Sequence, residues 1–219
     1  MAVPKKPLTC FVVWLLAGAL AIGLAMPLDN QVDAALQISN NPPLHRLAEW
    51  FSKLGEGWVP AVIGIFFAIL YLLLHRPAVA AKIFFAVLTC ELTGLAALVL
   101  RTLVGRTRPS SHIPQGFYGL WYNGHWTVGK FDFAAFPSGH SATAMGLAAA
   151  AWLVHRGWGA VVALYALGVM WSRIALQSHH LSDVIAAAVL AIPLAVLSKK
   201  MLLPRLESEF EKLDRARQK

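Results

Sequence analysis

The chain has 219 residues, 58% of them hydrophobic and only 14% charged, with a mean hydropathy of +0.59. A water-soluble domain of this length needs more charge on its surface, so a soluble class is excluded and a membrane protein is indicated. The net charge of +8 does not point to nucleic acid, because the basic C-terminal stretch 204–219 is interleaved with Glu207, Glu209, Glu211 and Asp214 and reads as a solvated or lipid-surface helix.

Apolar runs at roughly 8–27, 57–75, 79–100, 138–155, 158–176 and 182–203 predict six spanning helices. The fold class expected is all-α, a six-helix transmembrane bundle with a short interfacial helix and an outer loop over the site. The first run follows Lys5 and Lys6 but is long for a signal peptide, and Pro27 interrupts the small-residue pattern in "AMPLDN". A retained anchor is therefore expected. In "PPLHRLAEWFSKLGEG", Leu44, Leu47, Phe51 and Leu54 recur at helical spacing between charges, which predicts a short helix in the membrane interface that serves as an anchor. Trp50, Trp58, Trp121, Trp126 and Trp158 fall near predicted span ends, as an interfacial belt requires. Cys10 and Cys90 lie inside spans and read as buried reduced thiols. No repeat or linker divides the chain, so 1–219 reads as one integral-membrane domain.

Charge sets the orientation. His75, Arg76 and Lys82, then His155 and Arg156, sit in loops that share a side with both termini when the number of spans is even. The positive-inside rule puts that side in the cytoplasm. Three polar stretches then fall together on the opposite face: "RTLVGRTRP", "PSGH" and "SRIALQSHHLSD".

In the first stretch, Arg101 and Arg108 are seven residues apart, about two turns, which puts both on one helix face and turns Arg106 away if the helix persists. Paired guanidiniums suit a phosphate. In the second, Pro137, Ser138 and Gly139 form a helix N-terminus whose free N–H groups and dipole favour an anion, with the His140 proton beside it. In the third, His179 and Asp183 are four residues apart, so the carboxylate is in reach to fix the imidazole tautomer. His180 is three residues from Asp183 and is not excluded by spacing; Ser178 is a candidate cap for the last span, and Arg173 adds a third guanidinium. Fixed positive charge, two helix N-termini and histidines in both protonation roles suit phosphoryl transfer.

The set R-x6-R-P, P-S-G-H and S-R-x5-H-x3-D, within 101–183, resembles the three-part signature of the type 2 phosphatidic acid phosphatase family, which includes bacterial six-span lipid phosphatases. The resemblance implies His179 as the nucleophile of a phosphohistidine intermediate, Asp183 as its orienting partner and His140 as the proton donor. It also implies phosphate binding by Arg108, Ser138, Gly139 and Arg173, with no metal or other cofactor. The family usually begins its first motif with lysine; here the position is Arg101, which keeps the charge with a different geometry.

The expected function is hydrolysis of a lipid phosphate or diphosphate at the outer face of a bacterial cytoplasmic membrane. Candidate substrates are phosphatidic acid, phosphatidylglycerophosphate, an isoprenyl pyrophosphate and a lipid A phosphate. Beside it stand a lipid phosphotransferase of the same fold, a metallohydrolase using His140, His179 and Asp183, and a lipid transporter. A transporter would spread polar residues through the bilayer depth, and a cation would be repelled by three arginines. The segment "SSHIPQGFYGLWYNGHWTVGKFDFAA" reads as an outer lid, with His112 and His125 as loop residues. Glu91, in mid-span, reads as a buried hydrogen-bonded or protonated structural residue.

Overall fold

The protein is described by a computed structural model covering residues 6–38 and 40–218, with side chains from Thr9 onward. Lys5, Lys219 and the Lys6 side chain lie outside the described residues. The apolar runs all fold as helices: α1 (Lys6–Ala25), α4 (Trp58–Leu73), α5 (Pro77–Val104), α6 (Gly139–Val154), α7 (Arg156–Ala175) and α8 (Leu181–Arg217). Between them lie α2 (Asp29–Ala35), α3 (Pro42–Leu54) and a two-stranded hairpin, β1 (Trp121–Tyr122) and β2 (His125–Trp126).

Among the described residues, 9–35, α5, α7 and α8 are each long and apolar enough to cross a membrane, and the α3–α4 pair, bent by 57°, makes a fifth such stretch. α4 and α6 have 16 residues each. That is about 24 Å of helix against a hydrocarbon core of ~30 Å, so six spans are not all met by length. The interfacial helix is α3: the Asn41 side chain accepts from Leu44 N at 3.2 Å at its start, and Leu44, Leu47, Trp50 and Leu54 remain exposed along it.

Helices α5, α6, α7 and α8 form the core, with buried Ala97, Ala142, Ala144, Ala148, Ala166 and Ala187 at their contacts. Small residues let helix backbones approach where lipid supplies no hydrophobic drive between them. The Thr93 hydroxyl fills one such contact, 2.9 Å from Ala142 O on the facing helix. Cys90 is buried there, whereas Cys10 is exposed on α1, which packs mainly along α8 and turns other faces outward. α1 runs antiparallel to α8, with Trp14 Nε1 donating to Val189 O at 3.0 Å while Asp29, beyond its end, meets the start of α8.

The C-terminal stretch departs from its expected free-lying form. α8 continues unbroken for 37 residues, about 55 Å, and its last turns dock against the α4–α5 turn. Asp214 pairs with His75 Nδ1 at 2.8 Å and Phe210 stacks 5.7 Å from Phe84. Its exposed Lys212–Glu209 and Arg215–Glu211 pairs contribute little.

Candidate active site

The site begins with a helix stop. Gly105 follows the last residue of α5 with φ +59° and ψ +44°, a left-handed C-cap, and a Cβ there would lie 1.9 Å from Gly119 O. Only glycine fits. The chain leaves α5 as an extended segment threaded between two others: Thr107 N donates to Gly116 O at 3.1 Å, Tyr118 N to Gly105 O at 3.0 Å and Ala135 N to Arg106 O at 3.1 Å. The expectation that Arg101 and Arg108 share a helix face is therefore corrected. Arg101 sits on the last turn of α5 and Arg108 in the extended segment.

Arg108 is buried, its guanidinium 3.7 Å from the Phe131 ring centroid. Nε, Nη1 and Nη2 donate to the carbonyls of Phe131, Ser178 and Ala134 at 2.9, 3.2 and 3.3 Å. Three of its five N–H donors are thus spent on position, and two remain for a ligand. Burial, then the charges of Arg173 and Arg101, pull its pKa down to about 10, against Asp183 and Asp132. It stays cationic at neutral pH.

Arg106, expected to turn away, is the residue that spacing missed. It is 7% exposed, with Nη1 on Asp183 Oδ1 at 2.5 Å and on Ser182 Oγ at 2.6 Å, and Nη2 on Asp29 Oδ2 at 2.7 Å. The signal was in the sequence: a glycine directly after the last apolar residue of a span marks a helix end, after which helical phase says nothing about Arg106. Asp29 and Asp33, on the short helix after the first span, are also buried, at 3% and 5%.

Ser138 caps α6, its Oγ accepting from Ser141 Oγ at 2.9 Å and from Ser141 N at 3.4 Å. Ser138 N donates to Asp183 O at 3.2 Å, which ties the starts of α6 and α8 together. A Cβ on Gly139 would lie 3.1 Å from Arg101 Nη1, so the guanidinium sits over the first turn of α6. His140 follows in that turn, within electrostatic reach of Arg173, His179, Arg101 and Arg108. Arg173, at the end of α7, donates through Nη1 to Ser52 Oγ of α3, while its buried Nε has no partner among the described residues.

His179 is 1% exposed in the turn between α7 and α8. Its Nδ1–H donates to Ala135 O at 2.7 Å, whereas Asp183 Oδ2 is 3.7 Å away. The tautomer expected to depend on Asp183 is held instead by a backbone carbonyl, because the Arg106 segment pins Ala135 in place. Nε2 is the ring nitrogen left without that bond. Burial and the guanidiniums of Arg173 and Arg108 hold the His179 pKa well below its ordinary value; the Ala135 bond works the other way, and Arg101 adds to the lowering. His180 is spent elsewhere: its Nδ1 bonds Asp33 Oδ2 at 2.5 Å and its backbone N–H donates to Asp183 Oδ2 at 2.8 Å in a capping box. His180, not Ser178, therefore caps α8. The Ser178 carbonyl goes to Arg108 instead.

A cavity of about 330 Å³ opens beside Arg101 and His140, bounded by Gly57, Glu91, Leu95, Leu98 and Thr143. Glu91 is exposed on its wall rather than buried, because its neighbours there are small; a Cβ on Gly57 would lie 3.3 Å from a carboxylate oxygen. The outer loop is held by its aromatics: Trp121 and Trp126 pair across the hairpin at 5.2 Å, and Tyr118 and Tyr122 pack on Phe133 at 5.8 and 5.5 Å. His112 and His125 are exposed in it.

Fold and site together define an integral-membrane helical protein with arginines and histidines gathered at one end of its bundle. The profile of the PAP2 superfamily matches residues 79–206, more than half of the sequence, and the chain belongs to that superfamily. The structure is similar to that of LpxE from Aquifex aeolicus, with 24% identity, 79% of this chain and 95% of that one covered, and a TM-score of 0.57. It is also similar to a PAP2-type phosphatidylglycerophosphate phosphatase from Bacillus subtilis, with 20% identity, 89% and 94% covered, and a TM-score of 0.61. A comparison with curated protein sequences finds no match.

Proposed function

We propose that the protein is a metal-independent lipid phosphatase working through a phosphohistidine on His179. The observation that carries this is the His179 ring, fixed through Nδ1 at 2.7 Å from Ala135 O and kept neutral amid the charges of Arg173, Arg108 and Arg101. Nε2 attacks phosphorus, the P–O bond to the lipid breaks, and His140 gives its proton to the departing oxygen. Water then attacks the phosphohistidine with His140 as base, releasing phosphate and restoring both rings. Arg101, Arg108, Arg173 and the Ser138–Gly139 turn neutralise the phosphoryl oxygens.

The cavity walled by Leu95 and Leu98 below Arg101 suits a lipid whose headgroup meets the arginines while its chains lie against α5. Phosphatidic acid, phosphatidylglycerophosphate, an isoprenyl pyrophosphate and a lipid A phosphate all meet that description. The basic loops at His75–Arg76 and His155–Arg156 lie at the end of the bundle away from the site, where Asp214 and the Leu153 carbonyl are held. This supports cytoplasmic termini and an outward-facing site in a bacterial cytoplasmic membrane.

The test is turnover of purified protein on a panel of these lipids, with and without chelator, while trapping label on the protein. Acid-labile, base-stable phosphate on His179 is expected, with activity unchanged by chelation. Label on another residue overturns the assignment; label passed to a lipid hydroxyl instead of water makes the protein a phosphotransferase.

A further inference from the structure

Two carboxylates outside the segment matched by the superfamily profile reach into the nucleophile's turn. Asp29, the first residue of α2, is 3% exposed; its Oδ1 accepts from Ser182 N at 2.9 Å, and its Oδ2 from Ser182 Oγ at 2.6 Å and Arg106 Nη2 at 2.7 Å. Asp33, one turn on, takes the His180 Nδ1–H at 2.5 Å, and its backbone carbonyl accepts from Gln177 Nε2 at 2.8 Å. Gln177, His180 and Ser182 surround His179, so one short helix holds its turn on both sides. Arg106 carries the connection further, bonding Asp183 as well as Asp29 while its backbone holds Ala135.

The cost of this arrangement argues for a purpose. Asp33 Oδ1 and His180 Nε2 are both buried without a partner among the described residues. Buried ion pairs are weak sources of stability compared with apolar residues of equal volume, and orphaned buried polar atoms subtract more. What such a network supplies is a single geometry. For a nucleophile fixed by one carbonyl bond, displacement by about 1 Å is enough to lower the rate on the order of 100-fold.

We propose that Asp29 and Asp33 are positioning residues for His179: α2, carried by the first span, sets the direction of the nucleophile through Arg106–Asp183 on one side and His180 on the other. This rests on the reading of His179 as nucleophile. The experiment is the pre-steady-state burst of phosphoenzyme formation from excess aryl phosphate, followed into the steady state, by Asp29→Asn, Asp33→Asn and Arg106→Gln, with Asp214→Asn as a buried acid at the opposite end. Burst amplitude counts folded, competent sites, and the rate constant reports geometry. The expected result is a near-wild-type amplitude with a rate constant roughly 10- to 100-fold lower and KM little changed, while Asp214→Asn behaves as wild type.

Asp29→Asn combined with Arg106→Gln should cost less than the sum of the two single changes, because they share the Asp29–Arg106 bond. A fall in amplitude with an unchanged rate constant makes the network merely structural and overturns the proposal. Should Asp29→Asn fail to fold, Ser182→Ala removes one bond to Asp29 and one to Arg106 and must lower the rate constant in the same direction; an unchanged constant is equally fatal. Failure of the underlying reading is distinguishable, since His179→Ala would then still form phosphoenzyme. If His179→Ala is inert and the aspartate variants run at full rate, only the positioning role falls.

Discussion

At the residue scale the two histidines divide the chemistry by environment. His179 is buried among guanidiniums and its pKa lies well below the usual 6.5, so it is neutral at physiological pH, as the proposed nucleophile must be. The loss of activity set by His179 comes as pH falls through that depressed value, so the acid limb of kcat/KM should lie below pH 6.5. Arg108→Gln removes a positive neighbour, makes the imidazolium easier to form, and should move that limb upward; a pH profile of the variant checks the sign. Stability follows the same direction. Below about pH 6.5 the unfolded imidazole takes a proton that the folded one refuses, so acid weakens folding. His140→Ala should lower turnover of alkyl phosphates by about 10²- to 10⁴-fold, and an aryl phosphate, whose leaving group needs no proton, should be partly spared. Comparing the two substrates in one variant decides it. Asp183→Asn should retain more turnover than His179→Ala, because Ala135 O, not Asp183, holds the tautomer.

At the scale of elements, the site is made where helices stop. α5 ends at Gly105, and Gly105→Ala would place a methyl 1.9 Å from Gly119 O at a φ of +59°. The backbone strain alone is roughly 1–3 kcal/mol, and the displaced segment carries Arg106, Arg108 and the partner of Ala135. Thermal unfolding in detergent should register the strain, and kcat should fall with it. α6 starts at Gly139, whose missing Cβ lets Arg101 lie 3.1 Å from where that atom would be. Gly139→Ala should push the guanidinium aside and raise KM severalfold while leaving phosphoenzyme chemistry in place, a split that steady-state kinetics resolves. α3 contributes through Ser52, which holds Arg173, so the interfacial helix is part of the site as well as an anchor.

At the scale of the molecule, both ends of the bundle are specified. The end bearing the site gathers α2, the outer loop and the starts of α6 and α8; the other end closes with the tail of α8 against the α4–α5 turn through Asp214 and His75. A reporter fused after Lys219 should be cytoplasmic and one inserted in 110–130 should face outward. Signals from the same side would overturn the topology.

By itself the sequence determined what depends on composition and short-range order: the apolar helices, the interfacial helix at 42–54, the helix start at Ser138–Gly139 and the family, with which the profile match agrees. These were legible because hydrophobic runs, caps and i,i+4 spacings act within a few residues. Only the tertiary structure decided what depends on a chain direction after a break or on partners far apart in sequence. Gly105 ended the helix that spacing arguments had extended to Arg108, and thereby sent Arg106 to Asp183, 77 residues away. The His179 tautomer went to a carbonyl at Ala135, a backbone atom that no side-chain pattern marks. No local pattern marks Asp29 and Asp33, because nothing near them in sequence distinguishes a solvated carboxylate from one buried against His180 and Ser182. That difference is made by folding the first span back along the last.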